Sequence, residues 1–442
     1  MDNDAEVRED SSLNSSDESI FISIAAYRDP QLVPTVMDCM GKARNPERLR
    51  FGICWQRGEE EAALPFREDT RFRILEVDWR QSKGACWARA EIMKLWQGED
   101  WFLQLDSHCR FANGWDEMLL RAAADTGSKK PILSTYPAPF TPGENEILTD
   151  GPLQVAFQAF TADGIPQLRP RHLPEHGKSG RPPRARFVAA GFLFTRGRFV
   201  QDVPYDPELY FMGEESAMTM RAFTHGYDLF HPAETIVWHD YGRQDARKHW
   251  GDHTGKDAPV RPWNELDETS RRKVRRLLRG EPVGNFGLGS TRTLEEYEEY
   301  AGLSFRERKA QQYTLRGEEP PNPKAPVNWT DAVRPWIVKI ACSRTQLPQG
   351  ALDNPMLWFV GIQDSRGFDI YQHNLTPEEM KPLNNDGDDL AVVCEFFSEK
   401  TPASWILWPL SNSQEWLQKI QGQFQDGDVA LLKEEDDEKE EN

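Results

Sequence analysis

Short apolar runs alternate with helical stretches near the beginning of this chain. Four runs rich in β-branched and apolar residues have the character of strands, at residues 19–26, 49–55, 72–78 and 100–105. Two segments with helical character lie between them, at residues 30–43 and 84–96. This alternation predicts an α/β fold with a mostly parallel sheet covered by helices on both faces. Ligands bind beyond the carboxyl ends of the strands in such sheets, so polar residues that follow a strand are the first candidates for a site.

Asp106-Ser107-His108 follows the fourth apolar run directly. Alternate residues of an extended segment point the same way, so Asp106 and His108 can converge on one point. A carboxylate and an imidazole together suit Mn²⁺ or a similar divalent ion, whose other positions are usually filled by phosphate oxygens of a ligand. His239 lies near another predicted strand end and can supply a third ligand. The Asp-x-His spacing is also common by chance, and a single histidine is more often hydrogen-bonded than metal-bound.

Charged residues at two other predicted element ends each admit two interpretations. Glu214 and Glu215 open a predicted helix after Gly213. Acidic residues stabilise a first helical turn through the helix dipole, but these two can equally face the hydroxyl groups of a sugar or of an acceptor. Arg28 and Asp29 follow the first apolar run and could hold a base or a ribose.

Lys83 and Arg89 could contact phosphates, although basic residues at a surface are more often only solvated. His249 and His253 have the i, i+4 spacing of a helical metal-binding pair. They lack the glutamate of an HExxH motif, so the sequence favours a structural role for both histidines.

The charge of the chain limits its partners. There are 53 basic and 72 acidic residues, for a formal net charge of −19. This balance argues against a general nucleic-acid binder, which needs a basic face for phosphates. The surplus is concentrated at the two ends, because residues 1–20 hold seven acids and one arginine and residues 426–442 hold nine acids and two lysines. The body is nearly balanced and can still contain a small cationic pocket for a diphosphate.

The sequence also predicts where the protein is located. The first 20 residues are acidic and polar, with no basic or apolar segment typical of a secretory signal, and no apolar run approaches the length of a membrane span. The six cysteines are scattered without a CxxC pair, which indicates reduced thiols rather than a disulfide framework. We therefore expect a soluble cytoplasmic or nuclear protein without a membrane or nucleic-acid partner.

Composition predicts five segments along the chain. A proline-rich stretch separates a long α/β region from a region of strand-like runs, and acidic ends flank both. The expected segments are a disordered leader at 1–18, an α/β domain at 19–320, a linker at 321–335, a smaller β-rich domain at 336–424 and a disordered tail at 425–442.

Seven segments in this order resemble a known family. They are FISIAAYRDP (21–30), KGACWAR (83–89), WFLQLDSHCRF (101–111), FVAAGFLF (187–194), FMGEES (211–216), VWHDYGR (237–243) and GLGSTRTLEEYEEYAGL (287–303). The combination resembles the cytosolic N-acetylglucosaminyltransferases that modify a hydroxyproline on the adaptor subunit of SCF-type ubiquitin ligases. It resembles more distantly the polypeptide N-acetylgalactosaminyltransferases, which also use a DxH metal motif. The resemblance implies a GT-A (Rossmann-like) catalytic domain at 19–320.

The resemblance also implies a role for each matching residue. Asp106, His108 and His239 would bind a divalent ion, expected to be Mn²⁺, that holds the diphosphate of the donor. The other donor-binding residues would be Ala25, Tyr27 and Arg28 at the uridine, Lys83, Gly84 and Arg89 at the ribose and phosphates, and Ala190, Gly191 and Glu214 at the sugar. The catalytic group would comprise Glu214, Glu215 and Asp240, with Glu215 or Asp240 acting near the acceptor.

The expected activity is metal-dependent transfer of GlcNAc from UDP-GlcNAc to a protein hydroxyl, namely a hydroxyproline of an SCF adaptor, with retention. Two alternatives stay open: a GT-A transferase with another UDP-sugar or acceptor, and a binding module that has lost catalysis. The residues after 330 take no part in this resemblance, and the C-terminal region could serve acceptor docking, homo-oligomerisation or stabilisation.

Overall fold

A computed structural model describes residues 18–431, except residues 144–146, 150, 162, 174–179, 244–245, 255–260, 325–328, 330–333, 353–354, 384–388, 399 and 413–415. Nearly all of the predicted leader and the end of the predicted tail lie outside the described residues. The described part of the tail forms a short strand, Val429–Leu431.

The strands are β1 (Ile20–Tyr27), β2 (Leu49–Arg57), β3 (Phe72–Asp78), β4 (Trp101–Asp106), β5 (Cys109–Phe111), β6 (Pro131–Ser134), β7 (Ala138–Thr141), β8 (Ile147–Leu148), β9 (Leu153–Phe160), β10 (Pro166–His172), β11 (Phe192–Arg196), β12 (Asp228–Phe230), β13 (Val237–His239), β14 (Leu303–Ser304), β15 (Lys309–Ala310), β16 (Arg334–Ser343), β17 (Pro355–Gln363), β18 (Asp369–Leu375), β19 (Asp389–Ser398), β20 (Ser404–Ser411), β21 (Ile420–Gln423) and β22 (Val429–Leu431). The α-helices are α1 (Leu32–Lys42), α2 (Ala85–Met93), α3 (Trp115–Asp125), α4 (Phe199–Asp202), α5 (Glu214–Thr224), α6 (His249–Asp252), α7 (Trp263–Leu278), α8 (Leu294–Ala301), α9 (Gln312–Arg316) and α10 (Pro377–Met380).

A seven-stranded mixed sheet forms the centre of the molecule, in the order β12-β6-β11-β4-β1-β2-β3. Strand β1 runs parallel to both β2 and β4, and β11 is antiparallel to its two neighbours. The four predicted strand runs are β1 to β4, and the two predicted helices are α1 and α2. The predicted α/β fold class is confirmed.

The central sheet is buried on both faces because successive strand residues point to opposite sides. Phe21 and Phe102 pack with α2 in one hydrophobic cluster. Ile22 and Leu103, their sequence neighbours, pack with α1 and α3 in a second cluster. The continuous apolar character of β1 and β4 follows from this double burial.

A second, four-stranded sheet in the order β5-β13-β7-β8 lies beyond the carboxyl end of β4. Strand β5 begins three residues after β4 ends, and β13 pairs with it antiparallel, with His239 opposite Cys109. This pairing brings residue 239 next to residue 108 although they are far apart in sequence.

The C-terminal region is rich in β structure, as predicted. One sheet has the order β18-β17-β20-β21, and another has the order β10-β9-β19-β16-β22. The second sheet joins the two parts of the chain, because β9 and β10 precede the predicted linker and β19, β16 and β22 follow it. The predicted domain boundaries stay a prediction.

None of the helices in the described part of the chain combines the length and the apolar character that crossing a bilayer requires.

Candidate active site

A cavity of about 590 Å³ opens at the carboxyl ends of β1 and β4. Ala25 and Tyr27 at the end of β1 and Asp106 at the end of β4 line it, together with the start of α2 and the start of α5. This is the edge at which an α/β sheet binds its ligands. The volume lies within the range of cavities that hold small molecules and cofactors.

Asp106, His108 and His239 meet on the wall of this cavity. One ligand atom from each lies within 4.8 Å of the other two. Asp106 Oδ2 is 3.2 Å from His239 Nε2, and the ring centroids of His108 and His239 are 4.4 Å apart. The structure therefore brings together the three residues predicted as metal ligands.

The donor set and its surroundings fit a divalent cation. One carboxylate and two imidazoles suit Mn²⁺ and similar transition metals. Asp29 Oδ2 lies 2.8 Å from His108 Nδ1, and burial lowers the pKa of His108, which favours the neutral ring. A proton on Nδ1 facing Asp29 would leave the lone pair on Nε2 for a metal. His239 Nδ1 is buried and has no hydrogen-bond partner among the described residues.

Asp29 lines the cavity and holds His108 in place. Its carboxylate is buried and accepts a hydrogen bond of 2.5 Å from Ser107 Oγ. It also forms an ion pair of 3.1 Å with Arg243. Burial would raise the pKa of Asp29, but the hydrogen bond from His108 and the charge of Arg243 outweigh it and lower the pKa. An ionised acceptor at this position fixes the orientation of the imidazole.

Arg89 connects two acidic residues beneath the cavity. Its guanidinium lies 2.8 Å from Asp106 Oδ1 and donates to Glu214 Oε1, which also accepts from Tyr205 Oη at 2.7 Å. Burial would raise the pKa of Asp106, but the hydrogen bond from His239 and the charge of Arg89 lower it well below its usual range. The ion pairs and hydrogen bonds hold both carboxylates in fixed positions.

Glu215 has a different environment from Glu214. It accepts hydrogen bonds from Tyr136 Oη at 2.5 Å and from the backbone N–H of Ala190 at 2.9 Å. Burial outweighs both bonds and raises the pKa of Glu215 to about 7. The carboxyl group can therefore change its protonation state near neutral pH.

Two glycines keep the cavity open. Gly84 has a φ of +102°, and a Cβ there would lie 2.9 Å from the ring of Tyr210. A Cβ on Gly191 would lie 2.8 Å from Asp106 Oδ2. Both positions, together with Ala190, line the cavity as the sequence predicts.

Three predicted site residues do not line the cavity. Arg28 is paired with Glu60 at 2.5 Å and Asp252 at 3.1 Å, and Lys83 is exposed. Asp240 is buried, and its carboxylate accepts the backbone N–H of Gly242 at 2.8 Å. Adjacent residues of an extended segment point to opposite sides, so Asp240 faces away when His239 faces the cavity.

Basic residues that the sequence interpretation missed line the cavity instead. Arg243, Arg247 and Lys248 come from the segment that follows β13. Arg243 lies 2.8 Å and 3.2 Å from the two ring nitrogens of His108, next to the metal-ligand group. Their closeness in sequence to His239 was the available signal.

His249, for which the sequence favours a structural role, also lines the cavity. Its Nδ1 is 2.8 Å from Tyr210 Oη, and its ring stacks on His253 at 3.9 Å. Burial lowers the pKa of His249 to about 3, so the ring is neutral. Tyr27 lies beside it, with the ring centroids 5.3 Å apart.

The chain matches the family model described as Glycosyltransferase (GlcNAc) over residues 19–71 and 62–307. No curated protein sequence matches it.

Among solved structures, GalNAc-T7 with UDP, GalNAc and Mn²⁺ matches at 14% identity and a TM-score of 0.46, and the match covers 65% of this chain and 57% of that one. TarS 1–349 of S. aureus matches at 12% identity and a TM-score of 0.35, covering 50% of this chain and 60% of that one. The complex of TarS 1–349 with UDP-GlcNAc matches at 9% identity and a TM-score of 0.37, covering 61% of this chain and 75% of that one. The chain thus spans less than two thirds of the GalNAc-T7 chain.

Proposed function

Because this chain belongs to the glycosyltransferase (GlcNAc) family, we propose that it transfers GlcNAc from UDP-GlcNAc to a protein hydroxyl group. The observation that supports this most is the group of Asp106, His108 and His239 on the wall of a ligand-sized cavity. These residues would hold a divalent cation, for which we propose Mn²⁺. When bound, such a cation supplies positive charge that stabilises a diphosphate leaving group.

Side chains at one end of the cavity suit the nucleotide. Tyr27, Ala25 and His249 offer flat and apolar surfaces for a base beside β1. Arg243 and Lys248 bring positive charge to the place where negative charge develops as the diphosphate leaves. In this proposal the segment after β13 supplies the phosphate contact that the sequence assigned to Lys83.

The sugar would occupy the space beside Ala190, Gly191 and Glu214, where small residues leave room. Glu214 is fixed by Arg89 and Tyr205, so its carboxylate can accept hydrogen bonds from sugar hydroxyls. In the transfer, the bond between the anomeric carbon and the diphosphate oxygen breaks, and the acceptor oxygen bonds to that carbon as its proton leaves. We propose retention of configuration, with the leaving phosphate assisting removal of the proton.

Glu215 is expected to give the transfer reaction a pH dependence near neutrality. Its pKa of about 7 means that it is protonated below this pH and ionised above it. If the ionised form assists the acceptor hydroxyl, activity rises as pH increases through about 7. The measurement is the pH profile of kcat/KM for wild-type protein and Glu215→Gln. The variant is expected to lose this inflection, and an unchanged inflection would assign it to another group.

For the acceptor we propose a hydroxyproline on the adaptor subunit of an SCF-type ubiquitin ligase, on the strength of the seven resembling segments in residues 21–303. The test is mass spectrometry of that subunit after incubation with UDP-GlcNAc and Mn²⁺, with and without prior prolyl hydroxylation. One added N-acetylhexosamine on the hydroxylated form alone is expected. Addition of the sugar regardless of hydroxylation would overturn the hydroxyproline acceptor but not the transferase activity.

A parallel panel of UDP-sugars tests the identity of the donor. A greater rate of metal-dependent hydrolysis with another UDP-sugar would overturn UDP-GlcNAc as the donor.

A further inference from the structure

The β-rich C-terminal region reaches the cavity of the proposed donor site. Asp369 and Gln372, both on β18, line the cavity. They lie far beyond residue 307, where the match to the family model ends. The family match therefore says nothing about this part of the wall.

A shared sheet fixes this wall to the rest of the molecule. β9 pairs antiparallel with β19 through Phe160 opposite Phe397 and Ala159 opposite Ser398. Gln158, the next residue along β9, lines the cavity and donates from Nε2 to the backbone carbonyl of Asp369. The start of β18 is thus bonded directly to a strand of the α/β part of the chain.

The carboxylate of Asp369 is positioned but not neutralised. Oδ1 accepts from Gln363 Nε2 at 2.9 Å, and Oδ2 accepts from Gln372 Nε2 at 2.7 Å. Within the described part of the chain, Asp369 forms no ion pair with a basic side chain. Each oxygen of a carboxylate can accept a further hydrogen bond, so Asp369 can still bind N–H or O–H groups.

This wall is connected through β9 and β10 to the start of α5, where Glu214 is the proposed ligand of the sugar. The proposed nucleotide side is formed by β1 and the basic segment after β13. Gly213, at the start of α5, lies against Ile165, since a Cβ on it would be 3.2 Å from that side chain. Pro166 and Leu168 of β10 continue the lining from there, beside β9 and the start of β18. A carboxylate at this place suits the N–H and O–H donors of a polypeptide rather than a diphosphate.

We infer that Asp369 and Gln372 bind the acceptor polypeptide, by accepting and donating hydrogen bonds to its backbone beside the hydroxyl that receives the sugar. This inference rests on the proposed transferase function. It makes the C-terminal region part of the acceptor site, and it places the choice of acceptor partly outside the matched family region.

The test compares the double variant Asp369→Asn/Gln372→Ala with a control, Glu378→Gln. Glu378 lies on α10 of the same region, and its side chain is 75% exposed. The probes are UDP-GlcNAc with Mn²⁺ and synthetic peptides that present a hydroxyproline, serine or threonine. The measurements are the KM for peptide, the KM for UDP-GlcNAc and the rate of UDP-GlcNAc hydrolysis without peptide.

The double variant is expected to raise the KM for peptide about tenfold or more, since hydrogen bonds to a charged group are lost. The KM for UDP-GlcNAc and the hydrolysis rate are expected to stay within about twofold, because the proposed donor contacts are intact. The control is expected to change none of the three.

Two results would overturn the inference alone: an unchanged KM for peptide, or an increase in the KM for UDP-GlcNAc as large as the increase for peptide. Wild-type protein that hydrolyses UDP-GlcNAc but modifies no peptide would overturn both the acceptor class and the inference. Wild-type protein that neither hydrolyses UDP-GlcNAc nor transfers from it would overturn the proposed function itself.

Discussion

Asp106→Asn and His239→Ala are each expected to lower the rate of sugar transfer by at least about 100-fold. Charge stabilisation by a bound metal ion is worth several kcal/mol in a transition state, and every 1.36 kcal/mol is about tenfold in rate. Asp106 and His239 contribute two of the three clustered ligand atoms, with Asp106 Oδ2 3.2 Å from His239 Nε2. Acceptor-independent hydrolysis of UDP-GlcNAc is expected to fall in parallel, because it needs the same leaving group. The measurement is the initial rate of both reactions across a Mn²⁺ titration.

A matched control separates loss of the ligand from loss of a charge. Asp100 lies just before the opposite end of β4, where it accepts hydrogen bonds from Ser19, and Asp100→Asn is expected to keep full activity. Removing the metal from wild-type protein with a chelator should lower the rate of sugar transfer as much as Asp106→Asn does. The same treatment of the variant should lower its rate little further. Full activity in either ligand variant, with the protein folded, would remove the metal site from the mechanism.

The metal-ligand group could be predicted from sequence because two of its members obey a local rule. Asp106 and His108 follow an apolar strand with a spacing of two, which places both side chains on one side. Predicting His239 as the third ligand required only that a second strand end lie in the same part of the fold. The strands themselves were predictable for a similar reason, since burial of both faces of a sheet leaves continuous apolar runs.

Other parts of the site depend on contacts that leave no local signal. The hydrogen bond from His108 to Asp29 joins a loop after β4 to a loop after β1, and the sequence gives no reason to prefer it over contact of Asp29 with a ribose. Arg28 was predicted at the donor, but its ion pairs to Glu60 and Asp252 depend on the path of two other segments. The pairing of β9 with β19 spans more than 200 residues, and neither strand identifies its partner.

Arg89→Met is expected to destabilise the protein by about 3–5 kcal/mol, the usual cost of removing one partner of a buried ion pair. The side chains of Arg89 and Glu214 are each 5% exposed, and Arg89 also pairs with Asp106 at 2.8 Å. Without the guanidinium, the carboxylate of Glu214 stays buried without its ion pair and keeps the hydrogen bond from Tyr205. Methionine fills a similar volume, so the loss reports the charge more than a cavity. The measurement is the free energy of unfolding from urea denaturation at pH 7.

Two further variants test whether burial causes this effect. Arg121 pairs with Glu234 at 3.3 Å, but both side chains are 60% exposed, so Arg121→Met is expected to cost at most about 1 kcal/mol of stability.

Adding Glu214→Gln to Arg89→Met removes the uncompensated charge and is expected to recover part of the lost stability. The expected coupling energy between the two positions is at least about 1 kcal/mol. Equal losses for Arg89→Met and Arg121→Met, or no recovery in the double variant, would contradict the role of Arg89. The double variant can also recover stability without recovering sugar transfer. That result would show that the Arg89–Glu214 pair serves the reaction rather than folding. The reason is that a neutral pair satisfies the fold but no longer holds Asp106 and a sugar-facing carboxylate in place.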